Sequence, residues 1–185
     1  MAFLYVLVRG RTAAPFWPAV GWRAFGGAAS RATVAARYVL GGSALALAVG
    51  ILGRYVGSRS SPVPLEQMFR SRLSVLLLMA LGTLVAPLME ETIFRGCLYP
   101  VIAGRFGISA GVVVTGTVFG LAHARQLGFA WGQVSLLVVV GIILTYVRAR
   151  AGTVAAGYFM HLGYNTILFA LFYLATGGLR NLPGS

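Results

Sequence analysis

Two of the three carboxylates in this 185-residue chain stand side by side, Glu90 and Glu91, and both of its histidines, His123 and His161, lie within or beside apolar runs. An ionisable group in hydrocarbon costs about 2.5 to 3.5 kcal/mol on insertion scales, so each such group is a functional candidate whose partner must be named. Spacing names several partners. Glu91 and Arg95 are four apart in the acid-before-base order favoured on a helix face, which lets Arg95 neutralise and orient that carboxylate. Glu90 is turned about 100° away around the same helix and stays free for proton transfer. Phe119 and His123 are also four apart, as are His161 and Asn165, so three helices each present a polar or polar-flanking pair on one face.

Glu90, His123 and His161 would make a His₂Glu zinc set with an open water position. No HExxH helix is present, however, and the Glu91–Arg95 pair leaves a site able to work without metal. The expectation is therefore a metal-free site, with zinc as the runner-up. A single membrane histidine is as often a packing residue as a catalyst, and a Glu–Arg pair is often only a clamp between helices. All these residues together, with few other ionisable groups in the spans, favour a site. Tyr158, Tyr164 and the glycine pairs Gly107/Gly111 and Gly116/Gly120 read as packing.

The elements that must hold these residues are apolar. The chain is 58% hydrophobic and 10% charged, far below the quarter or so of charged residues usual in soluble domains. All 15 cations are Arg, against three Glu, for a net charge of +12. A nucleic-acid binder would gather such charge on one solvated face. Here the arginines separate apolar runs, which fits anionic lipid headgroups and argues for the bilayer, and against nucleic acid, as partner. One cysteine, Cys97, excludes an internal disulfide and reads as a small buried residue. Residues 1–8 are apolar without a preceding cation, so they lack the order of a secretory signal and are expected to be retained.

The predicted architecture is all-α: a polytopic transmembrane helix bundle of about five spans with an N-terminal interfacial segment. Residues 1–37 are basic and aromatic and read as lying at the membrane surface. Residues 38–72 hold a first apolar stretch (38–53) and a polar loop with Pro62, Pro64 and Glu66. Residues 73–176 hold the remaining apolar runs (73–102, 107–122, 127–147 and 153–176), and 177–185 form a short tail. An inside N-terminus puts nine of the 15 arginines on the inner flanks, Arg95 included, which sets the expected orientation. If the glutamate helix runs unbroken to a turn at Phe106 and Gly107, Glu90 and His123 each lie roughly 24 Å from that turn and are level. His161, counted from a turn near Arg150, lies roughly 16 Å deep, one or two turns short. Tilt, a kink or a re-entrant stretch after His123 would have to absorb the difference.

The blocks Glu90-Glu91-Thr-Ile-Phe-Arg95, Phe119-Gly-Leu-Ala-His123 and His161-Leu-Gly-Tyr-Asn165 resemble, in order, the EExxxR, FxxxH and HxxxN signature of the CPBP family, the CAAX proteases and bacteriocin-processing proteins also called ABI. The resemblance covers roughly residues 73–176. It implies an intramembrane endopeptidase that cuts near the end of a membrane-tethered protein or peptide. In that reading Glu90 is the general base and His123 helps to hold or deprotonate water. Arg95 fixes Glu91, His161 and Asn165 stabilise the oxyanion, and Phe119 meets substrate. Two other functions compete: a catalytically silent relative acting as a partner-binding or bacteriocin-immunity protein, and a small proton-coupled transporter. The latter is disfavoured because no inverted repeat is visible. The lack of Lys and Asp in an Ala/Gly/Arg-rich chain suggests a GC-rich bacterial genome, and hence the bacterial cytoplasmic membrane and a C-terminal sorting tail, rather than a prenylated protein, as substrate.

Overall fold

A computed structural model describes residues 15–56 and 71–179. The expectations for the first 14 residues, the loop around Glu66 and the last residues fall outside them. The described chain is helical, with no strand among its residues. After a short turn of helix, α1 (Phe16–Ala19), come α2 (Arg31–Gly53), α3 (Arg72–Phe106), α4 (Ile108–Ala122), α5 (Trp131–Ala151) and α6 (Val154–Ala175).

Local chemistry sets the ends of these helices. Ser30 caps α2 by accepting from the Thr33 amide, Ser71 and Ser74 form a reciprocal capping box at the start of α3, and Thr153 accepts from the Ala155 amide. Gly107 (φ 88°) ends α3 and turns straight into α4, and Gly152 (φ 69°) closes α5. The first long helix thus begins at Arg31, ahead of the apolar stretch read as starting at 38. Ser30 outweighs hydropathy there, because a capped helix continues through interfacial arginines. Likewise α5 starts at Trp131, and residues 127–130 belong to the turn before it.

Four helices are long and apolar enough to cross a membrane: α2, α3, α5 and α6. With the apolar α4 they form a polytopic bundle, and the chain is an integral membrane protein. At 15 residues α4 is only about 22 Å long, short of the ~30 Å hydrocarbon thickness. His123 is its C-cap, so the helix ends at that residue, short of a full span.

Glycine sets the helix spacing. A Cβ on Gly116 or Gly120 would strike the α5 backbone at Ile142 or Val138, and one on Gly42 or Gly163 would strike the facing backbone of α6 or α2. Of the two sequence pairs, Gly116/Gly120 makes the close crossing. Gly111 lies against Ala103 of α3, while Gly107 is the turn itself. Ala46, Val140, Leu144 and Tyr164 form a core where α2, α5 and α6 meet, and leucines such as Leu40, Leu73 and Leu76 face outward, as lipid requires.

Helix α3 is not uniformly wound. Leu81–Val85 and Thr92–Leu98 are π-helical, and each stretch is followed by a proline at the second residue of the next α-helical piece, Pro87 and Pro100. A proline offers no N–H and crowds the preceding turn, and widening that turn by one residue relieves the clash. The second π stretch begins directly after Glu90 and Glu91, and Arg95 lies within it.

Candidate functional site

Glu91 and Arg95 have no solvent exposure. The Arg95 guanidinium donates through Nη1 to Glu91 Oε1 (2.8 Å), through Nη2 to the Gly141 carbonyl (3.0 Å) and through Nε to Thr145 Oγ1 (3.2 Å). Its Cζ lies 4.4 Å from the Phe119 ring centroid. One cation thereby ties α3 to α4 and α5. Thr145 passes its own hydrogen to the Gly141 carbonyl (2.7 Å), so that short polar cluster is closed.

The remaining groups arrange themselves around Glu90. His161 Nδ1 lies 3.0 Å from Glu91 Oε1, and His123 Nδ1 lies 2.8 Å from the Phe119 carbonyl. A carbonyl and an ionised carboxylate only accept, so both Nδ1 atoms carry the hydrogen and both Nε2 atoms are left for other work. Both turn to Glu90: His123 Nε2 is 3.7 Å from Oε1, and His161 Nε2 is 3.8 Å from Oε2. The Glu90 side chain is 26% exposed, whereas Glu91 is at 0%. The level mismatch counted from sequence is bridged here. Phe119 stands one turn below His123 on α4, and its ring approaches that of His161 to 5.8 Å, while Glu90 reaches both imidazoles, one with each oxygen.

Two sequence candidates have duties that spacing could not indicate. Phe119 is 1% exposed, its ring enclosed by Phe94, Arg95 and both imidazoles, so it offers no open face to a ligand. Asn165 Nδ2 donates to the Gly82 carbonyl at 2.8 Å. That carbonyl has a reason to need a donor. In the first π stretch Ala86 N–H bonds Leu81 O, so the next donor in an i→i−5 ladder would be residue 87, a proline. Asn165 replaces the missing N–H.

Sequence reasoning missed Thr145 and Gly141, which complete the Arg95 shell, and Gly157, whose Cα faces Glu91 so closely that a Cβ would strike Oε2. It also missed Thr92 and Trp22. None is ionisable, so a search for charge passes over them; Pro87 and Pro100, mid-span, were the available signals of unusual winding. Tyr158 and Tyr164 pack as read: Tyr158 lies against Trp22 and reaches the Leu84 carbonyl (3.4 Å), and Tyr164 lies in the α2–α5–α6 core. No group of three or more His, Cys, Asp or Glu among the described residues is arranged to hold a metal ion.

The family model of type II CAAX prenyl endopeptidase Rce1-like proteins matches residues 72–167, more than half of the chain and all three polar blocks. The chain belongs to this family. The CPBP resemblance carried by those blocks is met at the level of the family. An uncharacterized 24.3 kDa protein of Escherichia coli is 26% identical over 130 residues, 66% of this chain. The chain covers 59% of that relative's length. No solved structure matches.

Proposed function

We propose that this Rce1-like chain is an intramembrane endopeptidase in which Glu90 activates water. The observation that carries the proposal is the position of Glu90, each of whose carboxylate oxygens faces an imidazole Nε2, at 3.7 and 3.8 Å. A water held there donates one hydrogen to Glu90 and the other to His123 Nε2, and its oxygen attacks the scissile carbonyl as Glu90 takes the proton. The C–O bond forms as the carbonyl pair moves onto oxygen. Collapse then breaks the C–N bond, and Glu90 returns the proton to the leaving amine.

To serve the oxyanion, His161 must carry a hydrogen on Nε2 as well as on Nδ1. Glu91 accepts its Nδ1–H, orienting the ring and stabilising the imidazolium, as a carboxylate does for the imidazole of a hydrolytic triad. Nε2–H then points toward developing charge, and the second Asn165 N–H, beyond the one held by Gly82, is the other donor. Phe119 acts behind the site, as a platform under Arg95 and the imidazoles.

The substrate in this reading is a membrane-tethered protein or peptide. The short α4 supports it, because a span that stops at His123 leaves the site open to water and chain at that depth. Arg23, Arg31, Arg37, Arg105, Arg148 and Arg150 gather at the end holding the Gly107 and Gly152 turns, against Arg54, Arg72 and Arg125 at the other among the described residues. We assign the first end to the cytoplasmic face of a bacterial inner membrane.

Catalysis is proposed to be metal-free, since the Glu91–Arg95 pair leaves a site able to work without metal; a zinc ion would instead take Glu90 and the two imidazole Nε2 atoms that face it. In proteoliposomes with a membrane-tethered peptide reporter, Glu90→Gln is expected to lower cleavage about 10²- to 10⁴-fold while the protein stays folded. Parent activity should survive exhaustive chelation. Unchanged turnover in Glu90→Gln would reject the mechanism, and loss restored by zinc would replace it with a metal-dependent one.

A further inference from the structure

Residues 20–23 lie outside the family match, in a stretch whose composition suggests a surface segment, yet they are bound to the catalytic helices at every step. The Val20 carbonyl lies on Gly96, where an added Cβ would come within 2.7 Å of it. Gly21 O accepts from the Val154 amide at the start of α6 (2.9 Å). Arg23 N donates to Thr153 Oγ1 (3.1 Å), which donates back to Arg23 O (2.7 Å). Between them Trp22 Nε1 donates to Thr92 Oγ1 (3.0 Å), with its ring against Tyr158.

Thr92 is fully buried and directly follows Glu91. Its hydroxyl donates to the Leu88 carbonyl (2.7 Å), so one oxygen joins the Trp22 indole to the turn of α3 that carries both glutamates. That turn needs a brace. It sits where α winding gives way to π winding, and the angle at which Glu90 leaves the helix depends on how that transition is held.

We infer that the N-terminal segment is a strap belonging to the catalytic unit, and that Trp22 is a positioning residue which sets Glu90 through Thr92. The inference rests on the endopeptidase reading, and its test separates the two. In full-length protein in proteoliposomes, Trp22→Phe keeps an aromatic ring and removes the N–H. It is expected to lower kcat about three- to tenfold, the size of one hydrogen bond, with KM within about twofold. Thr92→Val should do the same, Thr92→Ser should restore the parent rate, and Trp22→Phe with Thr92→Val should be no worse than either alone. Phe25→Leu, which alters the strap where its ring meets Tyr38 of α2 and Phe159 of α6, should leave kcat unchanged. Parent-like kcat in Trp22→Phe, or losses in the two variants that simply add, would overturn the inference.

Amide hydrogen exchange gives a second readout that needs no substrate. Trp22→Phe should speed exchange within residues 88–96 and Phe25→Leu should not. If the parent cleaves no reporter, the endopeptidase reading fails, and exchange alone decides the brace: equal protection in both variants would dismiss it.

Discussion

Glu90 and Glu91 are neighbours in sequence and opposites in situation. Glu91 is sealed at the junction of α3, α4, α5 and α6, with one oxygen shared between Arg95 and His161 at hydrogen-bond distance. Glu90 is a quarter exposed and has two imidazoles just beyond direct bonding range. One helix thus carries a carboxylate that organises and a carboxylate left free to react, separated by about 100° of rotation. Buried charge is tolerable where its partners are fixed in advance, and Arg95 with its three acceptors is that fixture. In the proposed mechanism, the loosely held group beside it gains and loses a proton without disturbing the framework.

The largest effect should come from attacking the organising half. Arg95→Met removes the cation and leaves the Glu91 charge buried, a change that costs about 3–5 kcal/mol when one partner of a buried pair is lost. Unfolding in detergent micelles should show that loss, whereas Glu90→Gln, acting on the half-open carboxylate, should shift stability by less than about 1 kcal/mol. Equal destabilisation by the two would erase the distinction between the carboxylates. Gly157→Ala comes next. The added methyl would strike Glu91 Oε2, a buried oxygen with no hydrogen-bond donor among the described residues. Overpacking at so tight a contact costs about 1–3 kcal/mol. Because the displaced carboxylate also orients His161, cleavage should fall more than stability does, and a variant with parent stability and activity would show that Glu91 has room to move.

Much of this arrangement was legible in the residues themselves. Four-residue spacing put Arg95 on Glu91, and apolar runs gave the helices, because charge in hydrocarbon is too costly to be placed without a partner. What remained hidden was of another kind. Hydropathy cannot see that Ser30 starts α2 at Arg31, nor that Trp22 turns back to Thr92, since caps and single hydrogen bonds leave no periodic trace. Asn165 was legible as a polar residue facing the site but not as a partner for Gly82. That pairing depends on a missing N–H at Pro87 and on a π turn that spacing rules built on 3.6 residues do not contain.

The smallest effect follows from that last pairing and tests the first π stretch. Asn165→Ala removes the donor to the Gly82 carbonyl, which should cost about 1 kcal/mol. If the carbonyl lacks a backbone partner because residue 87 is a proline, Pro87→Ala supplies the N–H it lacks. In a Pro87→Ala background, therefore, Asn165→Ala should cost markedly less than in the parent, with the difference measured as a coupling by unfolding in micelles. The same cost in both backgrounds would mean that Asn165 binds Gly82 for another reason. Coupling would mean that a proline thirteen residues from the second π-proline, Pro100, created the acceptor that holds α6 against α3, four residues beyond the imidazole that faces Glu90.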